Sequence, residues 1–328
     1  MTISMANILV TGGGGFIGIN LCKKLLDRGD HVAAIDNFIT SDEENSKPLL
    51  THPNFTLIKH DITKPMENEW KMENKVDSVY HLACPTGVPN VITLAEEMIL
   101  TCSVGTKNVL DIAKEHNAKL IFTSSSEVYG DPEVFPQEEI YTGNVDPHGI
   151  RSPYEEGKRF SESLVTMYVR KYELDARIVR IFNTYGPHMS LHDTRVIPHF
   201  INQIKTGMPI AIYGNGSQTR TFCHVDDLVN GLLLAMDKGA AGEVYNLGSD
   251  EEITINDLAK LIIRHCEKQS DEAIQSTNER ADQIQYISNP IEDHHRRLPS
   301  LEKIKALGWR TQITLEEGLR RTLQWYGF

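Results

Sequence analysis

A chain of 328 residues with a formal net charge of −12 is long enough for one large domain or two lobes around a substantial core, and its acidity, without any Lys/Arg-rich block, argues against nucleic acid as a partner. No apolar run approaches the ~20 residues of a bilayer-spanning helix, and Met1 to Asn7 lacks the basic and apolar regions of a signal peptide, so the expectation is a cytoplasmic protein with no membrane partner. Cys22, Cys84, Cys102, Cys223 and Cys266 are odd in number and contain no Cys-x-x-Cys pair, a pattern of reduced thiols rather than of a disulfide framework or a zinc site.

The first predicted element is a strand at Ile8-Leu9-Val10, followed by Thr11-Gly12-Gly13-Gly14-Gly15-Phe16-Ile17-Gly18 and then by Ile17, Leu21, Leu25 and Leu26 at helical spacing. Gly12, Gly15 and Gly18 suit a tight turn, close approach of the backbone to a pyrophosphate and close packing of helix on strand. Phe16 and Ile17 open the helix whose N-terminus faces that anion. A second strand, Val32-Ala33-Ala34-Ile35, ends in Asp36, eighteen residues past Gly18 and just before Asn37. A carboxylate there accepts both ribose hydroxyls of an adenosine and repels a 2′-phosphate, which points to NAD rather than NADP. The alternative for Asp36 is a turn or cap residue.

Further strands are predicted at Phe55–Ile58, Val76–Leu82, Leu120–Ser124 and Ile178–Phe182, separated by helical patterns around 92–116 and 153–172. Such alternation defines an α/β fold, a doubly wound parallel sheet covered on both faces. Ligands of such sheets sit beyond the carboxyl ends of the strands, where Asp36, Asp61, Leu82-Ala83, Ser125 and Asn183 all fall. In Tyr154-Glu155-Glu156-Gly157-Lys158 the i, i+4 spacing puts tyrosine and lysine on one helical face. A free phenol keeps its proton to about pH 10, and a cation within about 4–6 Å commonly lowers a pKa by about 1–3 units. Lys158 is the candidate cation and Tyr154 the candidate base; the alternative is an ordinary surface pair.

After Gly186-Pro187 the pattern becomes less regular, with a helix near 196–206, a strand near 210–213, a turn at Gly214-Asn215-Gly216, a helix near 226–237, a long polar loop with a short strand over 268–300 and a final helix near 315–326. This reads as a second lobe interleaved with the first. His188 with His192, and Asp293 with His294 and His295, are the candidate metal ligands; neither set completes a ligand pattern, and no metal is expected.

With these residues in place, the chain resembles the extended short-chain dehydrogenase/reductase family, its nucleotide-sugar branch, and within that branch the UDP-glucuronate decarboxylases. The resemblance covers nearly the whole chain. It runs through the glycine turn, Asp36-Asn37-Phe38, His60-Asp61-Ile62-Thr63, His81-Leu82-Ala83-Cys84-Pro85, Ser126-Glu127-Val128-Tyr129-Gly130-Asp131-Pro132, Tyr154 to Lys158, Arg180 to Pro187, Tyr213 to Arg220 and Leu307-Gly308-Trp309. It implies a Rossmann domain of residues 1–185 plus roughly 222–247 and a smaller α/β nucleotide-sugar lobe of roughly 186–221 plus 248–328. It also implies a homodimer built by helices near 92–116 and 153–172. Leu164, Val165, Tyr168 and Val169 suit that interface, or equally the monomer's own sheet.

The activity so implied is NAD-dependent oxidation of C4 of a UDP-sugar, decarboxylation of UDP-glucuronate, and return of the hydride to give UDP-xylose. Tyr154 takes the C4 hydroxyl proton, Ser125 hydrogen-bonds the same oxygen, Lys158 supports the phenolate, and Glu127 organises the sugar. Arg297, with Arg296 as the register alternative, approaches the substrate carboxylate or diphosphate. Asn183 and Arg220 resemble diphosphate contacts, Arg195 reaches ribose, cofactor or phosphate, and Tyr213 flanks the uracil. Gly12, Gly15, Phe16, Ile17, Gly18, Asp36, Asn37, Asp61, Ile62, Leu82 and Ala83, with Tyr154 and Lys158, hold NAD. Related 4,6-dehydratases carry an acidic aspartate where this chain has Ser126, which favours decarboxylation over dehydration. Thr86-Gly87-Val88, Cys102 in place of an asparagine, and Ser152-Pro153 depart from the family pattern and leave open a UDP-N-acetylhexosamine dehydratase or epimerase.

Overall fold

The protein is described from a computed structural model covering residues 5–65, 75–87, 89–269, 284–288 and 296–328. Ile8, Leu9 and Val10 are all but fully buried, so the strand Asn7–Thr11 (β1) needs cover on both faces. It sits inside a seven-stranded sheet. From one edge the order is Val244–Leu247, Ala176–Ile181 (β6), Lys119–Ser125 (β5), Ser78–His81 (β4), β1, His31–Asp36 (β2) and Phe55–Lys59 (β3). Every pairing is parallel. The chain runs outward from β1 through β2 and β3, then crosses back to β4 and proceeds the other way. The crevice at this reversal, above the ends of β1 and β4, is where a doubly wound sheet receives its ligand.

Alternation along β1 divides the core. Ile8 and Val10 join Leu21 and Leu25 of the helix Phe16–Asp27 (α1) and Leu228 and Leu232 of Val225–Lys238 on one face. Leu9 joins Val109 and Leu110 of Thr106–His116 and Val165 and Tyr168 of Ser152–Tyr172 on the other. Burial of each such side chain contributes about 1.5–3 kcal/mol. Leu164 and Val169 pack against the same cluster, so the four residues that suited either interface or sheet lie on the monomer's own sheet.

A third cluster builds a separate set of helices, Val196–Lys205, Ile255–Gln269 and Leu315–Trp325, around the strand Ile210–Tyr213, which pairs in parallel with Ile284–Ile287. Ile255–Gln269 stands where the sequence reading placed no element. The helical pattern around 92–116 is broken into Asn90–Thr93, Ala95–Leu100, a π-helical turn at Thr101–Gly105, and Thr106–His116. The Thr106 hydroxyl donates to Thr101 O at 3.2 Å within that turn, and such bulges often mark functional sites.

Candidate active site

The glycine turn is tied to the second strand: the N–H groups of Gly12 and Gly13 both donate to Ile35 O, at 2.7 and 3.2 Å. Gly12 lies at φ 71°, and a Cβ there would stand 2.8 Å from Ala83 N. A Cβ on Gly18 would meet Gly12 O at 2.0 Å. The turn therefore closes only without side chains, which leaves its backbone bare toward the crevice. At the end of β2, Asp36 Oδ2 accepts from Gly14 N at 3.0 Å, and Oδ1 accepts from Phe38 N and Ser41 Oγ, both at 2.8 Å. Each carboxylate oxygen takes part in fixing the loop, and with three of about four lone-pair sites used the group retains room for one hydroxyl. Leu82 N donates to Thr11 O at 3.0 Å, bringing Leu82 and Ala83 beside the turn. Asp61 caps its own loop through Thr63, Ile62 is buried against Gly105, and Asn37 Oδ1 accepts from Ile39 N. A bare turn at a helix N-terminus with a carboxylate one strand away fits a dinucleotide.

Tyr154 and Lys158 lie in the first turns of Ser152–Tyr172, started by Pro153 where a missing N–H costs nothing. Lys158 is 3 % exposed and donates from Nζ to Thr123 O at 2.9 Å, with Nζ 6.0 Å from the centre of the Tyr154 ring. Burial alone would depress the ammonium, but Cys84, Cys102, Tyr154 and Glu162 more than reverse it, so the lysine stays charged. The phenol does not follow the expected direction. Burial pushes Tyr154 up to about 12, against the pull of Lys158 and a hydrogen bond with Ser125. The lysine's attraction is present, yet desolvation of a phenolate exceeds it.

Ser125 ends β5, and its Oγ accepts from Glu127 N at 3.3 Å, opening a short 3₁₀ turn. Glu127 is gripped from two sides: Arg297 Nη1 reaches Oε1 at 2.5 Å and Arg151 Nη2 reaches Oε2 at 2.6 Å. Arg297 Nη1 also donates to Ser126 Oγ at 2.9 Å. Arg297 is 4 % exposed, and its Nη2 has no partner among the described residues. Arg296 points elsewhere, pairing with Glu252 at 2.6 Å and lying over Phe135. Arg151, which the sequence reading passed over, ties Glu127 to buried Glu155; its only sequence signal is its place three residues before Tyr154.

The remaining predicted residues make contacts of their own. Asn183 Nδ2 donates to Thr221 O at 3.3 Å, and buried Arg220 donates to Thr219 O at 2.8 Å. Arg195 forks onto Asp193, lies 6.0 Å from the Phe16 ring, and feels the Tyr154 phenol, so it stands between the glycine turn and Tyr154. Tyr213 is 41 % exposed at the end of its strand. His188, at φ 69°, packs on Trp325. Asp293, His294, His295 and Val88 lie outside the described residues.

A doubly wound sheet with a bare glycine turn after its first strand, and a tyrosine and buried lysine beside β5, suits a nucleotide-dependent redox enzyme. The chain belongs to the NAD dependent epimerase/dehydratase family, whose profile matches residues 8–248. It is 41% identical over 320 residues, 97% of its length and 72% of the relative's, to UDP-glucuronic acid decarboxylase 1 of Danio rerio. Among solved structures, dTDP-glucose 4,6-dehydratase of Bacillus anthracis in complex with NAD superposes with a TM-score of 0.83 at 26% identity, covering 98% of this chain and 96% of that one. UDP-N-acetylglucosamine 4-epimerase of Methanobrevibacter ruminantium superposes with a TM-score of 0.85 at 29% identity, covering 99% of each. This chain is thus an NAD-dependent enzyme of that family.

Proposed function

We propose that the enzyme decarboxylates UDP-glucuronate to UDP-xylose, with C4 oxidised and reduced again within one turnover. The observation that carries this reading is Arg297, a buried guanidinium beside Ser126 and Glu127 with one amino group that has no partner among the described residues. A buried cation with spare donors suits the carboxylate of a sugar acid better than the neutral C6 hydroxymethyl of a hexose. Ser126 supplies no acid for a departing C6 hydroxyl, which agrees with loss of CO₂ rather than of water. The relatives at 41–42% identity carry the decarboxylase name.

In this reading, Tyr154 takes the proton of the C4 hydroxyl as the hydride leaves, and Ser125 holds the same oxygen. Lys158 keeps its charge beside the phenol through the cycle. Gly12 to Gly18 and Asp36 would hold NAD, which when bound would supply the hydride acceptor and donor and a positive charge that adds to that of Lys158. A ketone at C4 stands β to the C6 carboxylate, so the charge released with CO₂ is delocalised onto an oxygen already hydrogen-bonded by Tyr154 and Ser125; C5 then takes a proton from solvent, and Tyr154 returns its proton to the C4 oxygen as the hydride comes back to C4. Glu127, steadied by Arg151 and Arg297, orders the sugar. Asn183, Arg220 and Arg195 take the diphosphate side and Tyr213 the uracil, with residues 1–185 and 222–247 as the dinucleotide domain and 186–221 and 248–328 as the sugar-nucleotide lobe.

The proposal extends to a cytoplasmic homodimer. Phe160 and Met167 on Ser152–Tyr172 are 52 % and 38 % exposed, and Ile99 and Val104 on the preceding helical segment are 48 % and 42 % exposed; together they offer an apolar helical face for a second copy. Phe160→Asp then gives a monomer in sedimentation, and a monomeric wild type would remove this part of the reading.

The test of function is a substrate panel read by mass spectrometry. Incubation with UDP-glucuronate releases the mass of CO₂ and leaves UDP-pentose, with NAD formally unchanged. Turnover of UDP-N-acetylglucosamine with loss of water or with epimerisation, and none of UDP-glucuronate, would replace the proposal by a dehydratase or epimerase.

A further inference from the structure

Cys84 and Cys102 are 18 residues apart in sequence and belong to different elements, yet their sulfurs stand 3.6 Å apart. Cys84 follows β4 directly after Ala83; Cys102 sits in the π-helical turn. The proposed reaction uses neither, although both act on the charge of Lys158. Cys84 is partly exposed and Cys102 is buried. A disulfide requires about 2.0 Å between sulfurs, so one short movement separates the two states. We infer that Cys84 and Cys102 form a modification site, a dithiol that a peroxide closes to a disulfide and that closure disables the neighbouring cofactor site.

The step balances as two thiols and one hydrogen peroxide giving one disulfide and two waters. The Cys102 sulfur, the member held as thiolate, attacks one peroxide oxygen: the O–O bond breaks, an S–O bond forms, and the hydroxide that leaves takes up the proton the thiol had given to solvent, as water. The Cys84 sulfur then attacks Cys102, the S–S bond forms, and the S–O bond breaks to release hydroxide, which takes up the Cys84 thiol proton as water. The hydrogen bond with Cys84 and the charge of Lys158 bring the Cys102 thiol down against the opposing effect of burial, while the same hydrogen bond and burial hold the Cys84 thiol up, so Cys102 is the member that meets peroxide as a thiolate. By contrast, burial holds Cys22 and Cys223 far above the ordinary thiol range.

Closure cannot be absorbed locally. The Cys102 side chain lies against Gly157, with Cβ and Sγ at 3.2 and 3.3 Å from where a Cβ on that glycine would stand, and Ser161 Oγ donates to Cys102 O at 2.6 Å. Moving Cys102 therefore drags the helix that carries Lys158. Moving Cys84 instead shifts Ala83, whose N would be 2.8 Å from a Cβ on Gly12. Either route displaces a wall of the dinucleotide site, and packed interiors transmit such shifts. A misplacement of ~1 Å can cost on the order of 10²-fold in turnover.

The effect on turnover rests on the reading under Proposed function, whereas the linkage and the effect on NAD affinity do not, so the three are measured separately. The full-length enzyme is exposed to hydrogen peroxide, alkylated with iodoacetamide and digested. The expected result is a Cys84–Cys102 linked peptide pair, two hydrogens lighter than the separate thiol peptides, with NAD affinity and turnover each reduced by about tenfold or more and restored by dithiothreitol. Cys84→Ser and Cys102→Ala are each expected to keep NAD affinity through the same treatment. Alkylation of both cysteines after peroxide, linkage with unchanged NAD affinity, or equal loss of affinity in both variants would overturn the inference. Linkage with lost NAD affinity in an enzyme inert toward UDP-glucuronate would leave it standing and reject the proposed substrate.

Discussion

Replacement of Arg297 by methionine separates recognition of a carboxylate from general integrity of the site. The side chain is 4 % exposed, and its Nη1 serves both Ser126 Oγ at 2.9 Å and Glu127 Oε1 at 2.5 Å. Breaking a buried ion pair by removing one partner costs about 3–5 kcal/mol. Here Glu127 keeps Arg151 at 2.6 Å on its other oxygen, and methionine fills much of the volume without a desolvation penalty. The loss of fold stability is therefore nearer the cost of one unsatisfied buried acceptor, about 1–3 kcal/mol, read as a drop of several degrees in Tm. In the proposed reading the substrate carboxylate rests on Arg297, and the variant removes that interaction. At about 3–5 kcal/mol, kcat/KM for UDP-glucuronate falls roughly 10²- to 10⁴-fold. UDP-glucose, which carries no carboxylate, tests C4 oxidation alone: the rate of NADH formation with it is expected to change less than about threefold. Equal losses for the two sugars would refute the assignment of Arg297 to the carboxylate. Arg296→Met is the control, since its exposed pair with Glu252 contributes about 0–1 kcal/mol and turnover should persist.

Tyr154→Phe should retain NAD while reducing C4 oxidation by about 10²–10⁴-fold, read from NADH absorbance; unchanged oxidation would remove Tyr154 from the chemistry. Because the folded phenol is pushed up to about 12 and the unfolded value is about 10, its contribution is intact below pH 10 and lost as pH rises through 12, so Tyr154→Phe should flatten the fall of stability in that window in denaturant titrations. His81, buried between Thr11 Oγ1 at 2.7 Å and Thr106 Oγ1 at 3.1 Å, is depressed to about 3 by burial, with Lys158 acting in the same direction. Below the unfolded value of about 6.5 the unfolded chain takes up the proton first, so stability falls as pH drops toward 3, and His81→Gln should lessen that acid slope. Gly18→Ala places a Cβ 2.0 Å from Gly12 O, forcing helix and turn apart; about 1–3 kcal/mol of stability and a matching part of NAD affinity should be lost, as read by thermal melting and NAD titration.

Local geometry made much of this protein legible in its sequence. Glycines at 12, 15 and 18, a carboxylate ending the next strand, and a tyrosine four residues before a lysine each encode their arrangement within one turn or one βαβ unit, where spacing fixes direction. The alternation of apolar runs with helical patterns likewise gave the parallel sheet. The edge strand Val244–Leu247 and the helix Ile255–Gln269 went unassigned; four residues carry too little periodicity, and the strand is defined by its pairing with β6. Arg297 meets Ser126 across 171 positions, which selects it over Arg296 only once Gln137 and Pro299 bridge their two loops. The Cys84–Cys102 contact, the two-sided grip on Glu127, and the inward packing of Leu164 and Val165 also arise from chain crossings that no spacing records. The direction of the Tyr154 shift belongs with them: sequence supplied the ammonium, but only the tertiary structure removed the water, and desolvation proved the larger effect.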